Sequence, residues 1–149
     1  MNVALRSTYV FMFTAAVIFG VYGWWIFGVL GIEYFTGPDA LIRIGKALSI
    51  LIIAGYAFEI FTVFAWSVFN SVVLKHDKDD FIVDERDKLI VYRSTHISHL
   101  VLCAGLFVSV GALALGWSAF WVFNLMVLAF LLSVVAELAT KVFLHSRGT

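Results

Sequence analysis

The sequence predicts an all-α integral membrane protein, a bundle of four transmembrane helices with both termini in the cytoplasm. Of its 149 residues, 62% are apolar and only 13% are charged, and the mean hydropathy is +1.00. A soluble chain is about half apolar and a quarter charged, and one this small leaves a large share of its surface exposed. We therefore expect lipid to cover much of this chain, which should form one domain over residues 1–149.

The first half contains two apolar stretches, each longer than the roughly 20 residues that a spanning helix needs. Residues 7–32 carry no charge. This run is longer than the apolar core of a signal peptide, so we expect it to be retained as an anchor. After a turn at Gly37-Pro38, residues 47–74 contain one charge, Glu59, and form the second predicted span.

The second half begins with a predicted charged loop, residues 75–93, in which 11 of 19 residues are Lys, Arg, Asp or Glu. The next 43 residues, 94–136, carry none of these charges and are too many for one span. We predict two spans, 94–115 and 118–140, joined by a turn at Gly116-Trp117-Ser118. Helices joined by a tight turn are antiparallel, so residues whose numbers sum to about 233 should lie at equal depth.

The basic residues are distributed unequally between the two predicted sides of the membrane. Arg43 and Lys46 lie on one side, and eight basic residues lie on the other. Basic residues concentrate in cytoplasmic loops, which places the termini and the charged loop in the cytoplasm. The formal net charge of zero provides no basic field for nucleic acid, so we expect no nucleic-acid partner. The eight residues are Arg6, Lys75, Lys78, Arg86, Lys88, Arg93, Lys141 and Arg147.

Glu59 is the residue that bears most directly on function. An ionisable side chain inside the membrane costs about 2.5–3.5 kcal/mol or more and usually faces protein or a water-filled cavity. Its helical face also contains Tyr56, Thr62, Trp66 and Asn70, and we predict that these five residues bind a ligand or an ion. The same pattern fits a protonated glutamate that only fixes helix packing, because burial favours the neutral form of a carboxyl group.

A second candidate site lies on the third helix. His96, His99 and Cys103 are spaced i, i+3 and i+7, and the hairpin places Glu137 at the depth of His96. Imidazole, thiolate and carboxylate groups can bind Zn²⁺ or another transition metal. The alternatives are histidines that hydrogen-bond at the membrane interface, a space-filling cysteine, and an ion pair of Glu137 with Lys141.

The opposite face of the third helix carries small residues, which allow another helix to approach closely. If the fourth helix packs on this seam, the histidine and cysteine face turns away from it. The seam consists of Ser98, Gly105, Ser109, Ala112 and Gly116.

Two enzyme classes are disfavoured by particular residues. Cys103 is the only cysteine, so the chain has no internal disulfide and no CxxC motif, which excludes a quinone reductase that works through paired thiols. Four-helix membrane enzymes that use glutathione carry an E-R-x-x-x-N run. The corresponding run here begins at Glu85-Arg86 and has Ile90 where the asparagine should be.

The run Asp84-Glu85-Arg86-Asp87-Lys88 resembles the signature of a family of small uncharacterised prokaryotic membrane proteins. Their D-E-R-D-(K/R) motif lies between two pairs of helices, and the end of this chain, residues 137–148, is similar to the close of their fourth helix. The resemblance implies the four-helix fold and its topology in the inner membrane of a prokaryote. Family members often occur beside helix-turn-helix regulators, which implies a stress or immunity role but names no activity.

Three functions are consistent with the sequence. The favoured one is a non-enzymatic, oligomeric membrane protein that binds a lipid-like ligand or a partner helix, with membrane lipid and further copies of the chain as partners. The second is a small transporter or channel that moves protons or cations through Glu59. The third is a metal-binding membrane protein that uses His96, His99, Cys103 and Glu137.

Overall fold

The computed structural model describes residues 3–73 and 85–146, which are helical apart from short turns. Helix α1 (Val3–Gly23) continues as a π-helical segment, Trp24–Leu30, and is followed by a short 3-10 helix, Ile32–Phe35. Three long helices complete the chain: α2 (Ala40–Val73), α3 (Glu85–Ala114) and α4 (Ala119–Ser146).

Four stretches of this structure are long and apolar enough to cross a membrane: Thr8–Leu30, Ala40–Phe69, Glu85–Ala114 and Ala119–Ser146. The helices extend beyond the spans expected from the sequence. Helix α2 begins directly after Pro38-Asp39 and therefore includes Arg43 and Lys46. Residues 85–93, expected in the charged loop, form the first turns of α3, where acids at Glu85 and Asp87 favour the positive end of the helix dipole.

We call the two ends of the structure the turn end and the loop end. The turn end holds the connections between α1 and α2 and between α3 and α4. The loop end holds the end of α2, the start of α3 and the end of α4. The rest of the predicted charged loop, residues 74–84, lies outside the described residues.

The predicted turn at Gly116 is confirmed as a Schellman motif that ends α3. Gly116 has a φ of 80°, a conformation that glycine adopts without strain. Its N–H donates to the carbonyl of Leu113, and the N–H of Trp117 donates to the carbonyl of Ala112. The chain then reverses, and α4 runs antiparallel to α3.

Helix α3 packs on α4 along the predicted seam of small residues. Ser94 and Ser109 are fully buried, and each hydroxyl donates to a carbonyl of its own helix, so neither needs a partner across the interface. A Cβ atom added to Gly105 would overlap that of Ala129 and lie 3.1 Å from its Cα. The two helices can approach this closely because residue 105 has no side chain.

The remaining helices meet mainly at the turn end, where α1, the 3-10 helix, α2 and α4 share a small apolar core. Helix α1 also packs along α4, with Phe19 and Phe130 in ring contact at 6.2 Å. Among the described residues, α3 has extensive contacts with α4 only, so α4 lies at the centre of the structure. The buried core residues are Tyr22, Ile26, Phe35, Ile44, Ala47 and Phe120.

Candidate functional site

Glu59 follows, at helical spacing, the residues of α2 that contact the other helices. This face begins at the turn end with buried Ile44 and continues through Leu51, which is partly buried against the core. One turn further, a Cβ on Gly55 would lie 3.7 Å from the side chain of Ile18 in α1. Glu59 follows four residues later, about 40° round the helix and about 6 Å further along it.

Although Glu59 lies on this face, it is not enclosed by its own chain. None of the side chains from Tyr56 to Phe69 is buried, and Glu59 is itself exposed. Thr14 of α1 lies at about the depth of Glu59, because Ile18 is level with Gly55. Thr14 is buried, but its hydroxyl already donates to the carbonyl of Val10 at 2.9 Å. Within residues 3–73 and 85–146, no side chain forms an ion pair with Glu59. Glu59 is therefore not enclosed in the interior of the single chain.

The residues predicted to accompany Glu59 share its side of α2 but bond locally. Tyr56 is 62% exposed. The Thr62 hydroxyl donates to the carbonyl of Phe58 at 2.8 Å, and Trp66 stacks on Phe69 with ring centroids 5.8 Å apart. Asn70 belongs to α2, but its side chain is outside the described part of the structure. These residues form an open polar strip along one helix, not a closed pocket.

The four residues proposed as metal ligands are not gathered into one site. His99 and Cys103 are close, with Nε2 and Sγ 3.6 Å apart, but His96 stacks on Tyr92 instead. Glu137 accepts a hydrogen bond from Lys141 at 2.6 Å. Across residues 3–73 and 85–146, no group of three or more His, Cys, Asp or Glu side chains is placed to hold a metal ion. The physical reason is that α3 uses its small-residue seam to contact α4, which leaves His96 and His99 on the exposed side.

The expected ion pair at Glu137 is therefore the arrangement that the structure contains. Glu137 and Lys141 are one turn apart on α4 and have 29% and 22% of their side-chain surface exposed. A separate polar contact joins α4 to α3 one turn beyond Lys141, where His145 approaches Asp87 at 3.4 Å. Glu137 and Asp87 thus each lie beside a basic side chain.

An open groove of about 590 Å³ lies between α3 and α4 near the loop end. We call it the loop-end groove. Its walls are mainly apolar, and Arg93 and His96 are its only side chains that can carry a positive charge. Sequence reasoning did not identify this groove, because its walls come from two turns of each of two helices. The residues that define it here are Tyr92, Arg93, His96, Ile97, Thr140 and Phe143.

Arg93 has no hydrogen-bond or ion-pair partner within residues 3–73 and 85–146. The Thr140 hydroxyl in the opposite wall donates to the carbonyl of Ala136 at 2.7 Å. A second groove, about 480 Å³ between α1 and α4, is lined by apolar residues such as Met12 and Leu131. The loop-end groove is thus the one of these two that combines apolar walls with an available cation.

Comparisons with protein-family models, curated proteins and solved structures found no match to this chain. The resemblance of residues 84–88 to the D-E-R-D-(K/R) family therefore stays a prediction.

Proposed function

We propose that this chain is a non-enzymatic, multi-pass membrane protein that forms a homo-oligomer by pairing the Glu59 face of α2 with the same face of a second copy. The supporting observation is that Glu59 continues the inward-facing stripe of α2 and yet is exposed, without an ion-pair partner in the described chain. A partner helix would cover this stripe. The four helices that are long and apolar enough to span a membrane supply the setting.

The depth of Glu59 makes its exposure costly. Thirteen residues of helix separate it from Lys46, which is about 20 Å along the helix axis. In a hydrocarbon core about 30 Å thick, this position is well inside the membrane. A carboxyl group at such a depth is stabilised by protein or water and not by acyl chains.

A second copy suits this site better than an unrelated helix because the site is self-complementary. A neutral carboxyl group is both a donor and an acceptor of hydrogen bonds. Across a two-fold axis, two Glu59 side chains can therefore satisfy each other. A Cβ added to Gly55, one turn away, would already lie 3.7 Å from Ile18 of α1, so the second copy would cover the strip that begins beyond Gly55, at Tyr56 and Glu59.

A cysteine cross-linking experiment tests this pairing. Cys103→Ser removes the only cysteine, and Thr62→Cys then places a thiol one turn from Glu59 on the same side. Oxidation in membranes should give a covalent dimer. The matched control is Phe61→Cys, because residue 61 lies about 160° round the helix from Glu59. A monomeric chain with no cross-link at Thr62, or equal cross-linking at Phe61, contradicts the proposed interface.

Substitutions of Glu59 separate pairing from transport. Glu59→Gln keeps a hydrogen-bond donor and an acceptor and should keep the dimer. Glu59→Leu removes both and should weaken dimer affinity by about 5- to 30-fold, because interhelical hydrogen bonds contribute about 1–2 kcal/mol in model peptides. Proton or cation uptake into proteoliposomes that Glu59→Gln abolishes would support the transporter alternative instead. The proposal also includes a stress or immunity role in a prokaryotic inner membrane. That part rests only on the resemblance of residues 84–88 to the D-E-R-D-(K/R) motif.

A further inference from the structure

We propose that the loop-end groove binds the phosphate of an anionic glycerophospholipid, with Arg93 and His96 at the headgroup and the apolar walls beside the first part of an acyl chain. This inference deepens the proposed function and rests on its membrane setting. It concerns a different surface, however, because the groove lies entirely within the α3–α4 pair of one chain.

The position of the groove along the helices fits a lipid phosphate. The contacts of Gly105 with Ala129 and of Asp87 with His145 confirm that residue numbers on α3 and α4 sum to about 233 at equal depth. Arg93 is therefore level with Thr140. From Ala119 to Thr140 the helix rises about 32 Å, close to the thickness of the hydrocarbon core. Arg93 thus lies at the edge of that core, where phosphates are found.

The charges of the groove favour an anion. The acid nearest the groove on α4, Glu137, is already paired with Lys141, and Asp87 lies more than two turns from His96, beside His145. Arg93 lacks such a partner in the described chain and remains exposed. A guanidinium group matches the oxygens of a phosphate with two parallel hydrogen bonds. Basic pockets between membrane helices are known to recognise anionic headgroups by this chemistry.

His96 adds a second donor one turn deeper than Arg93. Its ring stacks on Tyr92, with centroids 6.5 Å apart and planes 13° from parallel, which holds it at the groove. Ile97 and Phe143 supply apolar contacts on the two walls. A zwitterionic headgroup would place its own cation beside Arg93, so the groove should prefer a lipid whose headgroup is only negative.

The test is native mass spectrometry of the full-length, detergent-solubilised chain titrated with phosphatidylglycerol or phosphatidylcholine. We expect tighter binding of phosphatidylglycerol. Arg93→Gln should weaken it about fivefold, because one basic residue near an anionic membrane surface contributes about 1 kcal/mol. Arg93→Lys should retain part of the preference. The control is Arg86→Gln, an exposed arginine two turns earlier on α3 that does not line the groove.

Two outcomes overturn the proposal. One is that phosphatidylglycerol and phosphatidylcholine bind equally and that Arg93→Gln changes neither affinity. The other is displacement of phosphatidylglycerol by inorganic phosphate at equal concentration, which would identify a site for the free anion. Failure here is separable from failure of the α2 interface, because Arg93→Gln should not alter cross-linking at Thr62, and Glu59→Leu should not alter lipid preference.

Discussion

His145 Nε2 on α4 lies 3.4 Å from the Oδ1 atom of Asp87 on α3, the contact that joins these helices at the loop end. The other ring nitrogen, Nδ1, is 2.9 Å from the carbonyl of Lys141 and must donate a proton to it. In the neutral ring Nε2 is therefore an acceptor that faces another acceptor, and it is buried without a hydrogen bond. The separation is longer than the 2.7–2.9 Å typical of a charge-assisted hydrogen bond. Protonation of His145 would turn this close approach into an ion pair.

We predict that Asp87 and His145 are energetically coupled. When the imidazole is charged the two groups form an ion pair, so under that condition Asp87→Ala and His145→Ala should each lower the stability of the α3–α4 pair, and the double substitution should cost about 1 kcal/mol less than their sum. Thermal unfolding in detergent measures the four variants. Lys88→Ala, an exposed neighbour on α3, should combine additively with His145→Ala. Additive losses for Asp87 and His145 would show that the contact contributes nothing.

Gly105 and Gly111 form a matched pair for testing the α3–α4 seam. At Gly105 an added Cβ overlaps Ala129, whereas nothing lies within 4 Å of a Cβ at Gly111. Gly105→Ala should therefore destabilise the protein by about 1–3 kcal/mol, the usual range for overpacking. Gly111→Ala should be neutral or stabilising by up to about 1 kcal/mol, because alanine is the better helix former. Equal effects of the two substitutions on thermal unfolding would contradict the observed packing.

The Tyr22 hydroxyl links α1 to α4 by donating to Oδ1 of Asn124 at 3.2 Å. Asn124 is held in place because its Nδ2 donates to the carbonyl of Phe120 at 2.8 Å. Tyr22→Phe removes only the link and should cost about 0.6 kcal/mol, the average for interhelical hydrogen bonds in one membrane protein. Tyr9→Phe serves as the control, since Tyr9 is 49% exposed on the same helix. If Tyr22→Phe lowers stability no more than Tyr9→Phe does, the hydrogen bond contributes no net stability.

The distribution of basic residues predicts that the loop end faces the cytoplasm. Single cysteines introduced at Asp79 and Thr149 in the Cys103→Ser background should resist a membrane-impermeant thiol reagent in intact cells and react after lysis. Both positions lie outside the described residues. A cysteine at Thr36, in the turn end, should react in intact cells. Labelling in the reverse pattern would invert the topology while leaving the fold unchanged.

The sequence by itself was enough to predict four long apolar helices, the reversal at Gly116 and the face of α3 that allows close packing. Each of these depends on local information: the length of an uncharged run, a glycine at a helix end, and small residues repeated at helical spacing. The antiparallel register followed from the turn, and the contact of Gly105 with Ala129 confirms it.

Tertiary structure decided which helix each face meets. Helical spacing showed that His96 and Cys103 share a side of α3, but only packing showed that α4 meets the small-residue seam and that His96 lies at the edge of the groove between the two helices. Packing also decided the surroundings of Glu59, because no side chain of α2 from Tyr56 to Phe69 is buried against the other helices. It decided those of Arg93 too, because the loop-end groove exists only where α3 and α4 lie in register. The reason is that helical spacing specifies the angles between side chains on one helix, whereas the rotation and tilt of that helix relative to its neighbours come from contacts distant in sequence.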